Sequence, residues 1–240
     1  MPPPSTVDRF PHCDPSDTLI DVVVGEGDAQ KTFKAYKGVL SFYSSFFDAA
    51  LNGQFLEARE GIIKLPTESP AIVEMFVHWA NTRRFCEDGK DPTEVISYDT
   101  LAQLWVFGDA HEIPLCQNAV CDAFALKLYQ AKDLPMRRVA GLATETVDYI
   151  IMNSPPHQAS LQEMLSDALW ISYNSIKWAD DMKLDVYWQH RNTQLASSEQ
   201  VARVPEQLGY QIWLNGSWAH SFDRQACRWH VHSGGDSCPA

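Results

Sequence analysis

The sequence has no long apolar run, and this absence excludes one class of protein. No stretch of the chain approaches the ~18–20 consecutive apolar residues that a membrane-spanning helix needs. The opening segment MPPPSTVDRFPHC has neither a basic start nor an apolar core, so no signal peptide is predicted. We therefore expect a nuclear or cytoplasmic protein that has no membrane partner.

Basic residues are scarce. The chain has 19 Lys and Arg against 31 Asp and Glu, which gives a formal net charge of −12. Nucleic-acid binding needs a basic patch or stripe, and the short basic clusters are limited to Arg83-Arg84 and Arg137-Arg138. Both pairs are typical of solvated helix ends. No nucleic-acid partner is predicted.

Catalytic signatures are also missing. The chain has no G-x-S-x-G element and no cysteine in a protease signature. Gly25-Glu26-Gly27 lacks the Gly-Lys-Ser/Thr of a phosphate-binding loop, and no His-Glu-x-x-His metal motif occurs. His78 and His111 lie on predicted helices beside core aromatic residues, where structural roles with satisfied hydrogen bonds are predicted. The sequence therefore predicts a protein that is not an enzyme.

The segment between residues 17 and 65 predicts two strands, a helical pair and a third strand. Asp17–Gly25 is rich in β-forming residues and ends in a turn cluster, and Thr32–Tyr36 alternates polar and apolar residues. Together these strands predict a hairpin. Apolar residues recur at helical spacing between Val39 and Leu51, which predicts the helical pair. Ile62–Leu65 is predicted to be the short third strand.

Three further amphipathic helices are predicted after residue 68. Ser69 is a good N-cap, and Pro70 suits the first position of the first of these helices. The segment Cys86–Val95 is predicted to be a polar loop between helices. The predicted buried faces are, in chain order, Ile72, Met75, Phe76 and Trp79; Leu101, Leu104 and Trp105; and Leu115, Ala119, Ala123 and Leu126.

Several segments, in this order, resemble the BTB/POZ domain family. They are Asp21–Gly25 (DVVVG), Phe33–Leu40 (FKAYKGVL) and Ser44–Phe47 (SSFF). Leu104–Pro114 (LWVFGDAHEIP) is similar to a form found in members from filamentous fungi. The resemblance covers residues 16–130 and implies an α+β BTB/POZ fold, in which a small, mainly three-stranded sheet packs on helical hairpins. It also implies a function in protein–protein interaction.

Three regions are predicted along the chain. Residues 1–15 contain five of the 14 prolines and are predicted to be disordered. Residues 16–130 are the predicted BTB/POZ domain, and residues 131–240 are a predicted helical C-terminal extension with a Cys/His tail. Many BTB dimers exchange an N-terminal helix and strand, which a proline-rich segment does not sustain, so a homodimer of this kind is disfavoured. The apolar stripes of the extension are Val139, Leu142, Thr146, Tyr149 and Ile150, and then Leu161, Leu165, Ala168, Leu169 and Ser172.

The first candidate site lies between the helical pair and the third strand. BTB proteins that recruit the third-type cullin scaffold of ubiquitin ligases carry a hydrophobic-x-Glu motif in this loop. The resemblance therefore implies a partner-binding role for Phe55 and Glu57. An apolar anchor of this kind enters a pocket of the partner, while the carboxylate takes a polar group at the rim. The alternative is that Phe55 packs inward on its own domain and Glu57 is only solvated.

The second candidate site is in the C-terminal tail. Two thiols and two imidazoles fall within twelve residues there, and Cys₂His₂ is a standard tetrahedral zinc set. The spacing matches none of the common zinc fingers, so a site that uses only one of His230 and His232, completed by another nearby residue, is left open. A structural zinc is thus the one cofactor predicted, and a disordered glycine-rich terminus is the alternative. The candidate ligands are Cys227, His230, His232 and Cys238, with His220, Asp223 or Asp236 as substitutes.

Together these observations predict a protein–protein interaction module, and in sharper form a substrate adaptor for a cullin-type ubiquitin ligase. A scaffold or transcription-linked interaction protein that works without ubiquitin is one alternative. A small zinc-dependent enzyme is another, although no catalytic base accompanies the tail ligands. Co-purification with a cullin distinguishes the adaptor from the scaffold. A metal assay that detects an open coordination site favours the zinc-dependent enzyme.

Overall fold

The computed structural model describes residues 17–87, 89–130, 142–153 and 161 of the chain. Strands and helices are mixed in the order that the sequence predicts, which is an α+β arrangement. The strands are β1 (Leu19–Val24), β2 (Lys31–Tyr36) and β3 (Ile62–Leu65). The helices are α1 (Lys37–Tyr43), α2 (Ser45–Asn52), α3 (Leu56–Glu60), α4 (Pro70–Thr82), α5 (Pro92–Val95), α6 (Tyr98–Ala110), α7 (Pro114–Gln130) and α8 (Thr144–Asn153).

β1 is the central strand of a mixed three-stranded sheet with the order β2-β1-β3. It pairs antiparallel with β2, where Val22 lies opposite Phe33, and parallel with β3, where Val22 lies opposite Ile63. Ile20, Val22 and Val24 are buried, because alternate residues of a strand point to the same face of the sheet. The predicted hairpin and the predicted third strand are therefore confirmed.

The helical pair predicted between Val39 and Leu51 is present as α1 and α2, and its break falls at Ser44. Ser44 has extended backbone angles, φ −137° and ψ 120°. Its hydroxyl accepts a hydrogen bond from the Phe47 amide at 2.9 Å and so caps α2. The same hydroxyl donates to the carbonyl of His111, 67 residues further along the chain, at 2.6 Å. This long-range contact helps to fix where α1 ends and α2 begins.

The start of α4 is as predicted, with Ser69 at the N-cap and Pro70 as the first helical residue. The Ser69 side chain makes no capping hydrogen bond, so its contribution is limited to backbone conformation. The predicted face of α4 lies in the core except for Met75, which is half-buried. Its buried members are Ile72, Phe76 and Trp79.

The predicted face of α6 is confirmed, since Leu101, Leu104 and Trp105 are all buried. The predicted face of α7 is confirmed in part, because Leu115, Ala119 and Ala123 are half-buried and pack against the core, whereas Leu126 is 48% exposed. Apolar residues occur on most sides of α7, so helical spacing fits more than one stripe, and packing against α6 selects the stripe that is buried. The residues of α7 that reach the core are Cys116, Val120, Cys121, Phe124 and Ala125.

The predicted polar loop at Cys86–Val95 is wrong at its C-terminal end, where residues 92–95 form the short helix α5. Proline favours the first helical position because that position has no amide hydrogen bond to lose. The part before α5 is polar as predicted, and Lys90 Nζ lies 2.7 Å from a carboxylate oxygen of Glu87.

The predicted C-terminal extension is described at α8 and at Leu161. Thr146 and Ile150 of α8 are buried, α8 packs against α6, and Leu161 is buried with them. The other members of the second predicted stripe, and the predicted disordered residues 1–15, lie outside the described residues. None of the helices that the structure describes combines the length and the apolar character needed to cross a bilayer.

Candidate functional site

An apolar surface follows the exposed side of α2 and continues onto the start of α3. Phe46, Ala49 and Gly53 are exposed and recur at helical spacing, so they share one side of α2 and its C-cap. Phe55 and Leu56 continue this surface, with 59% and 57% of their areas exposed. We call these five residues the α2 stripe.

Gly53 provides the space in which Phe55 lies across the end of α2. A Cβ added to Gly53 would come within 3.1 Å of Phe55 Cδ2 and would overlap the carbonyl oxygen of Ala49. The Gly53 backbone has φ −81°, which other residues also adopt, so its backbone conformation does not require glycine. Glycine is required because a side chain at this position has no space. The Phe55 ring is consequently held at the surface, which contradicts the alternative in which it packs inward.

Glu57 is placed by the same short helix. Phe55 is the N-cap residue of α3, and Glu57 is half-buried in its first turn. A carboxylate in the first turn of a helix is favoured by the partial positive charge of the helix N-terminus. The two residues that the sequence predicted for partner binding thus lie on one element, whose left-handed C-cap is Gly61.

The other end of the stripe is held by a cluster around His111. Its ring stacks on Phe47 at a centroid distance of 5.6 Å and meets the edge of Phe46 at 5.0 Å. His111 Nδ1 lies 2.9 Å from the carbonyl oxygen of Phe107, and the His111 carbonyl accepts the Ser44 hydroxyl. These contacts agree with the structural role predicted for His111. They connect the end of α6 to the ring of Phe46, the first member of the stripe.

Two carboxylates lie along one flank of the stripe. Ser45, Asp48 and Asn52 are spaced to form the row of α2 that neighbours the stripe. Asn52 Nδ2 donates to Asp48 Oδ1 at 2.8 Å, and the Ser45 hydroxyl donates to Glu112 Oε2. Within the described part of the chain, neither Asp48 nor Glu112 has an ion-pair partner. The flank therefore presents negative charge that the described residues do not neutralise.

Metal ligation and thiol reactivity are further kinds of chemistry to consider among the described residues. No group of three or more His, Cys, Asp or Glu side chains among them could hold a metal ion. Burial raises the pKa of the Cys116 thiol far above its ordinary range, so the thiol stays protonated and is not a nucleophile. The predicted zinc ligands Cys227, His230, His232 and Cys238 lie outside the described residues.

The prediction for His78 is wrong in one respect. Its Nε2 is buried and has no hydrogen-bond partner among the residues that the structure describes. A buried ring nitrogen without a partner loses the hydration that it has in the unfolded chain, so His78 is not a satisfied structural histidine in the way His111 is.

Sequence reasoning named Phe55 and Glu57 but missed Phe46, Ala49 and Leu56. A signal for Phe46 was present, because two adjacent phenylalanines on a helix point about 100° apart, so only a wide buried face covers both of them. Phe47 is buried, and Phe46 is the outward member of the pair. The contribution of Ala49 depends on its position between larger neighbours, which spacing alone did not reveal.

Residues 12–119 match the family model of the BTB/POZ domain. The matched region contains the three strands, helices α1 to α6 and the whole α2 stripe. No curated protein matches the chain. The three-stranded sheet and the helices around it are those that the family resemblance implied.

Proposed function

We propose that this chain, whose residues 12–119 form a BTB/POZ domain, is a substrate adaptor that docks a cullin-type ubiquitin ligase scaffold through Phe55 and Glu57. A BTB/POZ domain is a protein–protein interaction module. The cullin is the sharper part of the proposal, and a nuclear or cytoplasmic location accompanies it. The substrate would be held by residues 131–240 or by the polar insert Cys86–Val95.

The exposure of Phe55 is the observation that carries the proposal. A phenylalanine that is 59% exposed has most of its apolar surface available to a partner, and Gly53 leaves room for its ring across the end of α2. An aromatic side chain has few rotatable bonds and loses little conformational freedom for the area that it buries on binding, which is why aromatic residues are common among the residues that dominate interface energies. Leu56 lies beside it and is equally exposed, so the apolar contact is larger than one side chain.

Binding of the purified full chain to the N-terminal domain of a cullin of the third type tests the proposal. Phe55→Ala should weaken binding about 30-fold or more, because a central anchor contributes ~2 kcal/mol or more. Glu57→Gln should weaken binding less, since it keeps the shape of the side chain and removes only a charge at the rim.

Leu126→Ala is the matched control. Leu126 is also an exposed apolar residue, but it lies on α7, away from the stripe in sequence. We expect Leu126→Ala to bind like the wild-type chain. Equal affinities for the Phe55→Ala and Leu126→Ala variants would place the cullin elsewhere. A wild-type chain that binds no cullin would refute the adaptor function and favour a scaffold that works without ubiquitin.

A further inference from the structure

We propose that the partner of the α2 stripe is an amphipathic helix that carries Lys or Arg along one flank. The inference rests on the proposed use of this surface for docking, and it specifies the chemistry of whatever segment docks there. Three features of the surface support it: its linear shape, its small central residues and two carboxylates that no described residue neutralises.

The shape of the stripe suits a helix. Phe46 and Gly53 are two helical turns apart, so the stripe extends about 10 Å along α2 before Phe55 continues it. Its middle is occupied by Ala49 and Gly53, between the larger Phe46 and Phe55. Small side chains at a contact let two helix axes approach to about 8 Å, the short end of the usual range. A partner helix can therefore place apolar side chains over Ala49, between two aromatic rings.

The charge of one flank selects the partner further. Asp48 and Glu112 each accept a hydrogen bond from a neutral donor, Asn52 and Ser45 respectively. Neutral donors orient a carboxylate but leave its charge in place. No cation pairs with either group within the described residues. A Lys or Arg on the partner would supply the missing charge, whereas a Glu or Asp there would be repelled.

A display library of amphipathic helices tests the inference without any prior choice of natural partner. Each member has Leu and Ala on one face, and its flanking positions are drawn from Lys, Glu, Gln and Ser. The library is selected on the purified full-length chain at low ionic strength. We expect Lys to be enriched and Glu depleted on one flank. The preference should fade near 1 M salt, where the Debye length falls to about 3 Å.

Two variants connect the preference to this surface. Asp48→Asn with Glu112→Gln removes both charges and keeps acceptors for the Asn52 and Ser45 donors, so α2 should stay in place. This double variant should bind the Lys-flanked helices about three- to tenfold less tightly, as expected for two exposed charge pairs. Ala49→Arg puts a large side chain in the centre of the stripe and should abolish binding. Circular dichroism checks that both variants are folded.

The control is a double variant with the same charge change elsewhere. Glu26→Gln with Asp28→Asn removes two exposed carboxylates from the β1–β2 turn and should leave the preference intact. The inference is overturned if the selection yields no helical binders. It is also overturned if Lys is enriched as strongly on the Asp48→Asn, Glu112→Gln chain as on the wild-type chain, or if the Ala49→Arg chain binds the selected helices as tightly as the wild type. Enrichment as expected, together with no cullin binding, would refute the cullin proposal and leave this inference standing.

Discussion

Replacing Ser44 by alanine should be more costly than the loss of an ordinary helix cap. The Ser44 hydroxyl is buried and makes two hydrogen bonds, one from the Phe47 amide and one to the His111 carbonyl. Loss of an N-cap costs ~0.5–2 kcal/mol. Leaving a buried carbonyl without its donor costs about 1–3 kcal/mol more. Ser44→Ala should therefore lower the free energy of unfolding by about 2–4 kcal/mol.

Ser97 provides a matched control within the same chain. It caps α6 by accepting a hydrogen bond from the Thr100 amide at 3.0 Å, and its hydroxyl also lies 2.8 Å from the Thr100 hydroxyl. Ser97 is exposed and, among the described residues, has no distant partner like the His111 carbonyl. Ser97→Ala should cost about 1 kcal/mol, because water can replace the exposed bond to the Thr100 hydroxyl. Urea unfolding of both variants, followed by far-ultraviolet circular dichroism, gives the comparison, with similar slopes expected for both. Equal losses of stability for the two variants would refute the role assigned to the Ser44–His111 bond.

Four further outcomes are expected. Gly53→Ala should lower the free energy of unfolding by about 1–3 kcal/mol, because the new methyl group overlaps neighbouring atoms; the same variant should bind the partner of the α2 stripe more weakly. Trp79→Ala should cost ~3–5 kcal/mol through the cavity that it leaves in the core. Burial raises the pKa of Tyr98 to about 12. The folded chain therefore favours the neutral phenol, and this contribution to stability is fully present below about pH 10 and should be lost as the pH rises from about 10 through 12. Tyr98→Phe should reduce this alkaline loss of stability. The C-terminal tail should hold about one zinc ion per chain, which Cys227→Ser with Cys238→Ser should remove.

Each of these outcomes has a result that contradicts it. Unchanged stability and binding for Gly53→Ala would show that the end of α2 adjusts freely. A loss below about 1 kcal/mol for Trp79→Ala would remove its α4 face from the core. Identical alkaline unfolding of the wild-type and Tyr98→Phe chains would contradict the effect of burial on that phenol. Metal analysis that finds less than about half an equivalent of zinc, with reduced thiols, would leave the tail without a metal site.

Elements defined by local pattern were predicted from the sequence. Alternation of polar and apolar residues placed β2, and the cluster of turn residues after Val24 placed the hairpin. Ser69 and Pro70 placed the start of α4, because cap preferences act within a few residues. The α+β fold followed from these elements and from the family resemblance, and the structure and the family match confirm it.

Features that depend on distant contacts were not predicted. The helical pair was predicted without the position of its break, and the bond from the Ser44 hydroxyl to the carbonyl of His111 is a contact that no local pattern indicates. The most buried face of α7 was missed, and Leu126 was wrongly included, because apolar spacing cannot choose between neighbouring stripes when packing against another helix makes the choice. Gly108 shows how that neighbour acts: an added Cβ would lie 2.9 Å from Cγ of the buried Gln117, so α6 and α7 are in close contact there.

The candidate site was predicted in part for the same reason. Phe55 and Glu57 belong to a local motif, whereas the surface around them is assembled by helix packing. α2 contributes Phe47 and Leu51 to the core and Phe46 to the surface, so one short helix has both a core side and an exposed apolar side. The orientation of α2 is set by the two hydrogen bonds of Ser44 and by the stacking of Phe47 on His111. A change at those contacts should therefore lower stability and affinity together, while a change at the exposed side chain of Phe55 or Leu56 should lower affinity alone.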